Sequence, residues 1–183
     1  MPKLIVCLVG MPGAGKSTIA NGLASQGYDM VNMGDSIRAE ATKRQIEPTS
    51  KNLGKIMVEM RSHYGPGAVA HLIKPQVISA QSDIVIVDGI RSSDEIKVLQ
   101  ECGVVKVLAI HASQDTRFTF LKKRRRSDDP DSQEMLQKRD QREMGIGISD
   151  PIALADESIS NNNLDKNMLI STAADTIQRW RQL

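Results

Sequence analysis

The feature that most constrains the fold of this chain is the segment GMPGAGKST, which spans residues 10–18. It follows an apolar run, precedes a helix-forming segment and has the spacing G-x-x-x-x-G-K-[ST]. Glycines at these positions let the backbone curl so that successive N–H groups point inward, toward phosphate oxygens. The helix that starts near Ser17 adds the positive end of its dipole at the same point. The sequence therefore predicts a nucleoside triphosphate site at a strand-to-helix turn.

Three side chains have predicted roles at this site. Lys16 can reach the β- and γ-phosphates, and the Ser17 hydroxyl can bind Mg²⁺. A second Mg²⁺ ligand is predicted at Asp88, because this carboxylate ends the buried apolar run IVIVD. The chain contains no guanine-reading N-K-x-D motif, which favours ATP over GTP. The predicted ATP-binding residues are Gly10, Met11, Pro12, Gly13, Ala14, Gly15, Lys16, Ser17 and Thr18.

Apolar runs alternate with helix-patterned segments along the 183 residues, and this alternation predicts one parallel α/β domain. Between the runs, Ser92 and Glu95 have the spacing of a capping box, and residues 164–180 read as a final amphipathic helix. Five runs are predicted to form the strands of a parallel sheet: residues 4–10, 28–33, 84–89, 104–111 and 157–160.

The charges of the chain are nearly balanced but unevenly placed. The 24 Lys and Arg residues oppose 22 Asp and Glu residues, yet six basic residues and no acidic one lie between Arg117 and Arg126. Nucleic acid is an unlikely partner, because aromatic residues are only 3% of the chain and a single-strand platform needs them for stacking. Two cysteines in apolar stretches, with no apolar run of membrane-spanning length, predict a cytoplasmic protein.

Two further motifs follow predicted strands. MGDSIR places Gly34, Asp35 and Arg38 after the second strand, and VDGIR places Arg91 three residues after Asp88. With these motifs the chain resembles the nucleoside monophosphate kinases, adenylate kinase in particular, and more closely an archaeal group of adenylate-kinase-related P-loop proteins. The other residues shared with that group are Tyr64, Gly65, Gly89, Arg139, Asp140 and the segments 126–129 and 145–147.

The resemblance implies a three-layer P-loop NTPase fold with a five-stranded parallel sheet and a short helical lid. It also implies a division of the single domain. The core would comprise residues 1–34, 83–123 and 145–183, the acceptor-binding helical insertion residues 35–82, and the lid region residues 124–144.

The same resemblance implies roles for individual residues. Arg38 and Arg91 look like the guanidinium pair that clamps the phosphate of the acceptor, to which a planar fork is well suited. Together with Gly34 and Asp35 they form the expected acceptor site. Lid arginines would neutralise the transferring phosphoryl group, and residues 161–163 would lie near the donor adenine. The expected catalytic residues are Lys16, Asp35, Arg124, Arg126, Arg139 and Arg142.

This chain also departs from adenylate kinase. DGIR has no proline, no C-Q pair follows it, and the short lid region has no zinc-binding cysteines. The acceptor is therefore predicted only as a small phosphate-bearing molecule such as AMP. One alternative is hydroxyl phosphorylation of the dephospho-coenzyme A kinase type, with Asp35 as general base instead of ordering Mg²⁺-bound water. Two others are a regulatory protein that binds ATP and AMP, and an ATPase stimulated by nucleic acid.

Overall fold

The computed structural model describes residues 2–124 and 129–182, and this part of the chain forms one five-stranded sheet. All the strand pairs are parallel, in the order β2-β3-β1-β4-β5. The predicted α/β fold class with a five-stranded parallel sheet is confirmed. The strands are β1 (Leu4–Val9), β2 (Asp29–Asn32), β3 (Ile84–Asp88), β4 (Val104–His111) and β5 (Glu157–Ser160).

The strand bounds agree with the sequence prediction to within one residue at each end. The final helix begins two residues later than predicted, because the Asp165 side chain caps it by accepting a hydrogen bond from the Met168 N–H at 2.8 Å. The helices of the described residues are α1 (Lys16–Ala24), α2 (Met33–Lys43), α3 (Ser50–Tyr64), α4 (Ala68–Ser79), α5 (Ser93–Gln100), α6 (Gln114–Arg124), α7 (Gln133–Ile146), α8 (Ser149–Ala153) and α9 (Lys166–Arg181).

Helices cover both faces of the sheet and create two cores. Strand β1 shows the division, since Ile5 and Val9 enter one core whereas Val6 and Leu8 enter the other. Side chains of α2, α3, α4 and α5 complete the first core, and those of α1 and α9 complete the second. Burial on both faces explains why the central strands read as continuous apolar runs.

The topology places several chain-separated polar residues at one edge of the sheet. Parallel strands have their carboxyl ends on the same side, and ligands of such sheets bind in the crevice where the strand order reverses. Gly10 follows β1, Asn32 ends β2 and Asp88 ends β3, and Asn32 and Asp88 are paired in register. None of the helices in the described part of the chain is long and apolar enough to cross a membrane.

Candidate functional site

The loop between β1 and α1 has the backbone geometry that its glycines predict. Gly13 and Gly15 have φ angles of +82° and +113°, in the left-handed region that side chains disfavour. At Gly13 a Cβ atom would also lie 2.8 Å from the Leu121 Cγ. Gly15 occupies the N-cap of α1 without a capping side chain, so no side chain of the cap competes with an anion for the N–H groups that begin the helix.

The Lys16 ammonium lies within this loop, although part of the residue contacts solvent. Its Nζ donates to the carbonyl oxygens of Gly10 at 2.5 Å and Met11 at 3.2 Å. Burial lowers the pKa of Lys16 to about 8, although the charges of Asp88 and Glu143 act in the opposite direction. This ammonium can exchange two carbonyl partners for the oxygens of a bound phosphate.

Asp88 is buried beside the start of α1. Its Oδ2 accepts hydrogen bonds from the Ser17 hydroxyl at 3.1 Å and the Asn32 amide at 3.3 Å. Hydroxyl and carboxylate oxygens are the ligands that Mg²⁺ prefers, so Ser17 and Asp88 fit this ion. When bound there, Mg²⁺ would neutralise charge on the β- and γ-phosphates. Asn32, which sequence reasoning missed, also caps α2 by accepting from the Asp35 N–H at 3.2 Å.

Two buried side chains, one in the helix after β4 and one directly after β5, hold the loop between β1 and α1. Arg117 is only 5% exposed, and its Nη1 donates to the Pro12 carbonyl at 3.0 Å. The same guanidinium forms a two-point ion pair with Asp140 of α7, at 2.9 and 2.6 Å. Asn161, expected near the adenine, donates its amide to the Ala14 carbonyl at 2.8 Å. The sequence shows Arg117 only as the first residue of a basic cluster.

A cavity of about 940 Å³ runs along this edge of the sheet and brings most predicted site residues together. Met11, Ala14, Asp35 and Arg142 are not among its lining residues, and Arg142 is exposed. Arg126 lies outside the described residues. The predicted residues that line the cavity are Gly10, Pro12, Gly13, Gly15, Lys16, Ser17, Thr18, Gly34, Arg38, Asp88, Arg91, Arg124 and Arg139.

Both predicted acceptor arginines are paired with carboxylates. Arg38 forms an ion pair with Asp35 one turn away on α2, and both side chains are more than half exposed. Arg91 follows β3, and its Nε lies 3.4 Å from the Glu143 Oε2 on α7. These contacts hold each guanidinium at the cavity while leaving part of its N–H fork for a phosphate.

A fully buried carboxylate, Glu95, organises the wall beside Arg91. Its Oε2 accepts the Arg91 backbone N–H at 2.7 Å, and its Oε1 accepts from Arg61 at 2.9 Å. The predicted capping pair is half realised: Ser92 Oγ accepts from the Glu95 N–H at 3.4 Å, but the carboxylate reaches Arg91 instead of Ser92. Arg61 also lines the cavity, a position that no local motif signals because α3 approaches from a distant part of the chain.

Two of the predicted lid arginines converge on one side chain. Arg124, at the end of α6, forms an ion pair with Asp129, and Arg139 Nη1 of α7 lies 3.7 Å from Asp129 Oδ1. Asp129 therefore gathers two guanidinium groups at the cavity wall.

Comparison with known sequences identifies relatives over most of the chain. The family model described as AAA domain matches residues 9–137. The UPF0200 protein of Hyperthermus butylicus is 40% identical over 159 residues, covering 87% of this chain and 86% of that protein.

Solved structures share the fold at low sequence identity. TT1252 from Thermus thermophilus has a TM-score of 0.70 at 15% identity and covers 97% of this chain and 98% of its own. The shikimate kinase from Acinetobacter baumannii, solved with shikimate, has a TM-score of 0.58 at 15% identity, covering 98% and 94%. These likenesses confirm a P-loop kinase-like fold.

Proposed function

Because this chain belongs to the UPF0200 family and carries the AAA domain of P-loop proteins, we propose that it is an ATP-dependent phosphotransferase. It moves the γ-phosphoryl group of Mg-ATP to a small acceptor that itself bears a phosphate, the class to which AMP belongs. The observation that carries this proposal is that one cavity joins Lys16 of the loop to Arg38 and Arg91.

The donor half of the cavity supports ATP as the phosphoryl donor. The loop presents backbone N–H groups and the amino end of α1, and Lys16 lies within reach of phosphate oxygens. Ser17 and Asp88 would hold the Mg²⁺ ion. Arg124 and Arg139 line the same cavity, where guanidinium groups stabilise the charge of a transferring phosphoryl group.

The acceptor half supports a phosphate-bearing substrate. Arg38 and Arg91 come from different elements and face the same space, so a phosphate placed between them would receive two planar guanidinium forks. In this proposal residues 35–82 form the acceptor-binding insertion and residues 124–144 the lid region. The structural neighbour that was solved with shikimate is likewise a kinase with a small-molecule ligand.

The direct test is phosphoryl transfer by the purified protein. Mg-ATP is incubated separately with AMP, CMP, UMP, GMP and dephospho-coenzyme A, and ADP is measured over time. We expect one acceptor to accelerate ADP formation, and Lys16→Ala to abolish the acceleration. Lys97→Ala is the matched control, because Lys97 is an exposed residue of α5 that pairs with Asp94.

Two other results would contradict the proposal. If ATP and AMP bind but no acceptor accelerates the loss of ATP, the protein is a nucleotide-binding regulator. If RNA or DNA stimulates hydrolysis with a steep salt dependence, it is a nucleic-acid-dependent ATPase.

A further inference from the structure

Glu143 of α7 is a buried carboxylate at the cavity wall, and sequence reasoning gave it no role. Its side chain is 7% exposed, and it lines the cavity together with Lys16 and Arg91. The Oε2 atom lies 3.4 Å from the Arg91 Nε, on the acceptor side. Because residues of the phosphate-binding loop line the same cavity, Glu143 also borders the space that the donor would occupy.

A comparison with Glu95 shows that Glu143 has unused hydrogen-bonding capacity. Glu95 is completely buried, and its two oxygens accept hydrogen bonds at 2.9 and 2.7 Å. For Glu143, the side-chain partner found among the described residues is Arg91, at the long distance of 3.4 Å. A buried carboxylate gains stability from further hydrogen bonds. A donor that enters the cavity can supply one.

A buried carboxylate at the cavity wall matters differently to two kinds of nucleophile. A general base must lie within hydrogen-bond reach of the proton that it accepts, and Glu143 lines the cavity in which the acceptor would bind. A hydroxyl carries no charge and can donate its proton to the carboxylate. A phosphate nucleophile is already ionised and needs no base, whereas a hydroxyl gains from one.

We propose that Glu143 is the general base of the transfer and that the attacking group is a hydroxyl of the phosphate-bearing acceptor. This inference rests on the proposed function and narrows its substrate class. The hydroxyl proton passes to a Glu143 carboxylate oxygen while the hydroxyl oxygen bonds to the γ-phosphorus. The bond from the γ-phosphorus to the bridging oxygen breaks, and its electron pair leaves on ADP. The product is a phosphate monoester, and Glu143 releases the proton to water.

The geometry favours Glu143 over Asp35 for this role. The Asp35 side chain is 67% exposed, is paired with Arg38 and does not line the cavity. A carboxylate outside the cavity is not within hydrogen-bond reach of a hydroxyl that binds inside it. Asp35 is instead placed to hold Arg38 toward the acceptor.

The experiment combines product identification with a set of acidic-residue variants. Wild-type protein is supplied with Mg-ATP and either dephospho-coenzyme A or AMP, and phosphorus NMR identifies the product as monoester or anhydride. We expect a monoester. Glu143→Gln should lower kcat by about 10²–10⁴-fold while the acceptor KM stays within a few-fold. The Gln amide oxygen can still accept from Arg91, so a purely structural role would survive this change.

Two further variants complete the set. Glu143→Asp keeps the carboxylate but draws it back toward α7 by one methylene, so this variant should retain more activity than Glu143→Gln. It replaces Glu143→Gln in the comparison if circular dichroism shows that Glu143→Gln is unfolded. Glu134→Gln is the matched control on the exposed face of α7, where Glu134 pairs with Lys138, and should behave as wild type.

Several results would overturn the assignment while leaving the proposed phosphotransferase intact. These are an anhydride product, a higher acceptor KM with unchanged kcat in Glu143→Gln, and a larger loss of kcat in Asp35→Asn than in Glu143→Gln. Absence of transfer to every acceptor would overturn the proposed function and this inference together.

Discussion

The phosphate-binding loop of the proposed donor half is formed by consecutive residues, 10–18, whereas the proposed acceptor half takes its charged groups from separate elements. In the loop, backbone N–H groups and one lysine would contact the triphosphate. In the acceptor half, Arg38 comes from α2, Arg61 from α3, Arg91 from the segment after β3 and Glu143 from α7. The loop is a local structure, whereas the acceptor half exists only when distant helices are packed together.

The two halves also differ in how their positive charge is held. The Lys16 ammonium is held by backbone carbonyls, which carry no net charge. The arginines of the acceptor half and the lid each face a carboxylate, in the pairs Arg38–Asp35, Arg61–Glu95, Arg91–Glu143 and Arg124–Asp129. A carboxylate orders a guanidinium but competes with an incoming phosphate, so we expect the affinity for the acceptor to depend on the pairs of Arg38 and Arg91 more than the affinity for ATP does.

The largest expected effect comes from breaking the contact between the phosphate-binding loop and α7, which Arg117 makes. Asp140→Ala leaves the buried Arg117 guanidinium without the carboxylate that accepts two of its hydrogen bonds. Arg117 Nε already has no hydrogen-bond partner among the described residues. We expect the free energy of unfolding to fall by about 3–5 kcal/mol, as for other broken buried ion pairs. Urea denaturation measures it.

The control for this change is Glu134→Ala, which removes an exposed carboxylate from the same helix and should change stability by less than about 0.5 kcal/mol. The double variant Arg117→Met/Asp140→Leu should recover much of the loss, because it removes both buried charges. If Asp140→Ala lowered the free energy of unfolding no more than Glu134→Ala does, the buried ion pair would not stabilise the contact between the loop and α7.

An intermediate effect is expected at the acceptor half alone. Arg91→Lys removes the planar fork, and a lysine cannot contact Glu143 and bind phosphate at two points. We expect the acceptor KM to rise about 10–100-fold, the equivalent of about 1.5–3 kcal/mol for charged hydrogen bonds, with little change in the KM for ATP.

Steady-state kinetics with each substrate varied in turn checks this separation of the two halves. Arg181→Lys, at the exposed end of α9, is the matched control. An equal rise in both KM values would show that Arg91 does not serve the acceptor alone.

The smallest expected effect is a pH dependence confined to the donor half. Burial lowers the pKa of Lys16 to about 8 in the free protein, and bound phosphates would raise it again. ATP binding therefore takes up a proton above this pH. The affinity for ATP should be constant below the free pKa and fall as pH rises through it, by at most about tenfold per pH unit.

Isothermal titration calorimetry with Mg-ATP between pH 7.5 and 9.5 measures this dependence. Lys16→Arg provides the control, because a guanidinium remains charged over the whole range and should give a flat profile. A flat profile for the wild-type protein would contradict the expected titration of Lys16.

What can be predicted from the sequence also differs between the loop and the acceptor half. The continuous apolar runs and the loop motif predict the parallel sheet and the donor site, because both depend on neighbouring residues and on backbone geometry. Glu95 was predicted only as a capping residue, and its bond to the Arg91 N–H appears when the segment after β3 folds against α5. Arg61 and Glu143 carry no local signal, since their significance depends on which helices meet at the cavity.

The sequence by itself thus determined the fold class and predicts a triphosphate site with the side chains Lys16, Ser17 and Asp88, since each follows from a contiguous pattern. Only the tertiary structure decided that Arg117 is a buried tie between the loop and α7 rather than part of an exposed basic face. It also decided that Glu143 lines the cavity and that Asp35 does not. The physical reason is that burial and charge pairing are set by contacts between residues far apart in the chain, which a local pattern does not record.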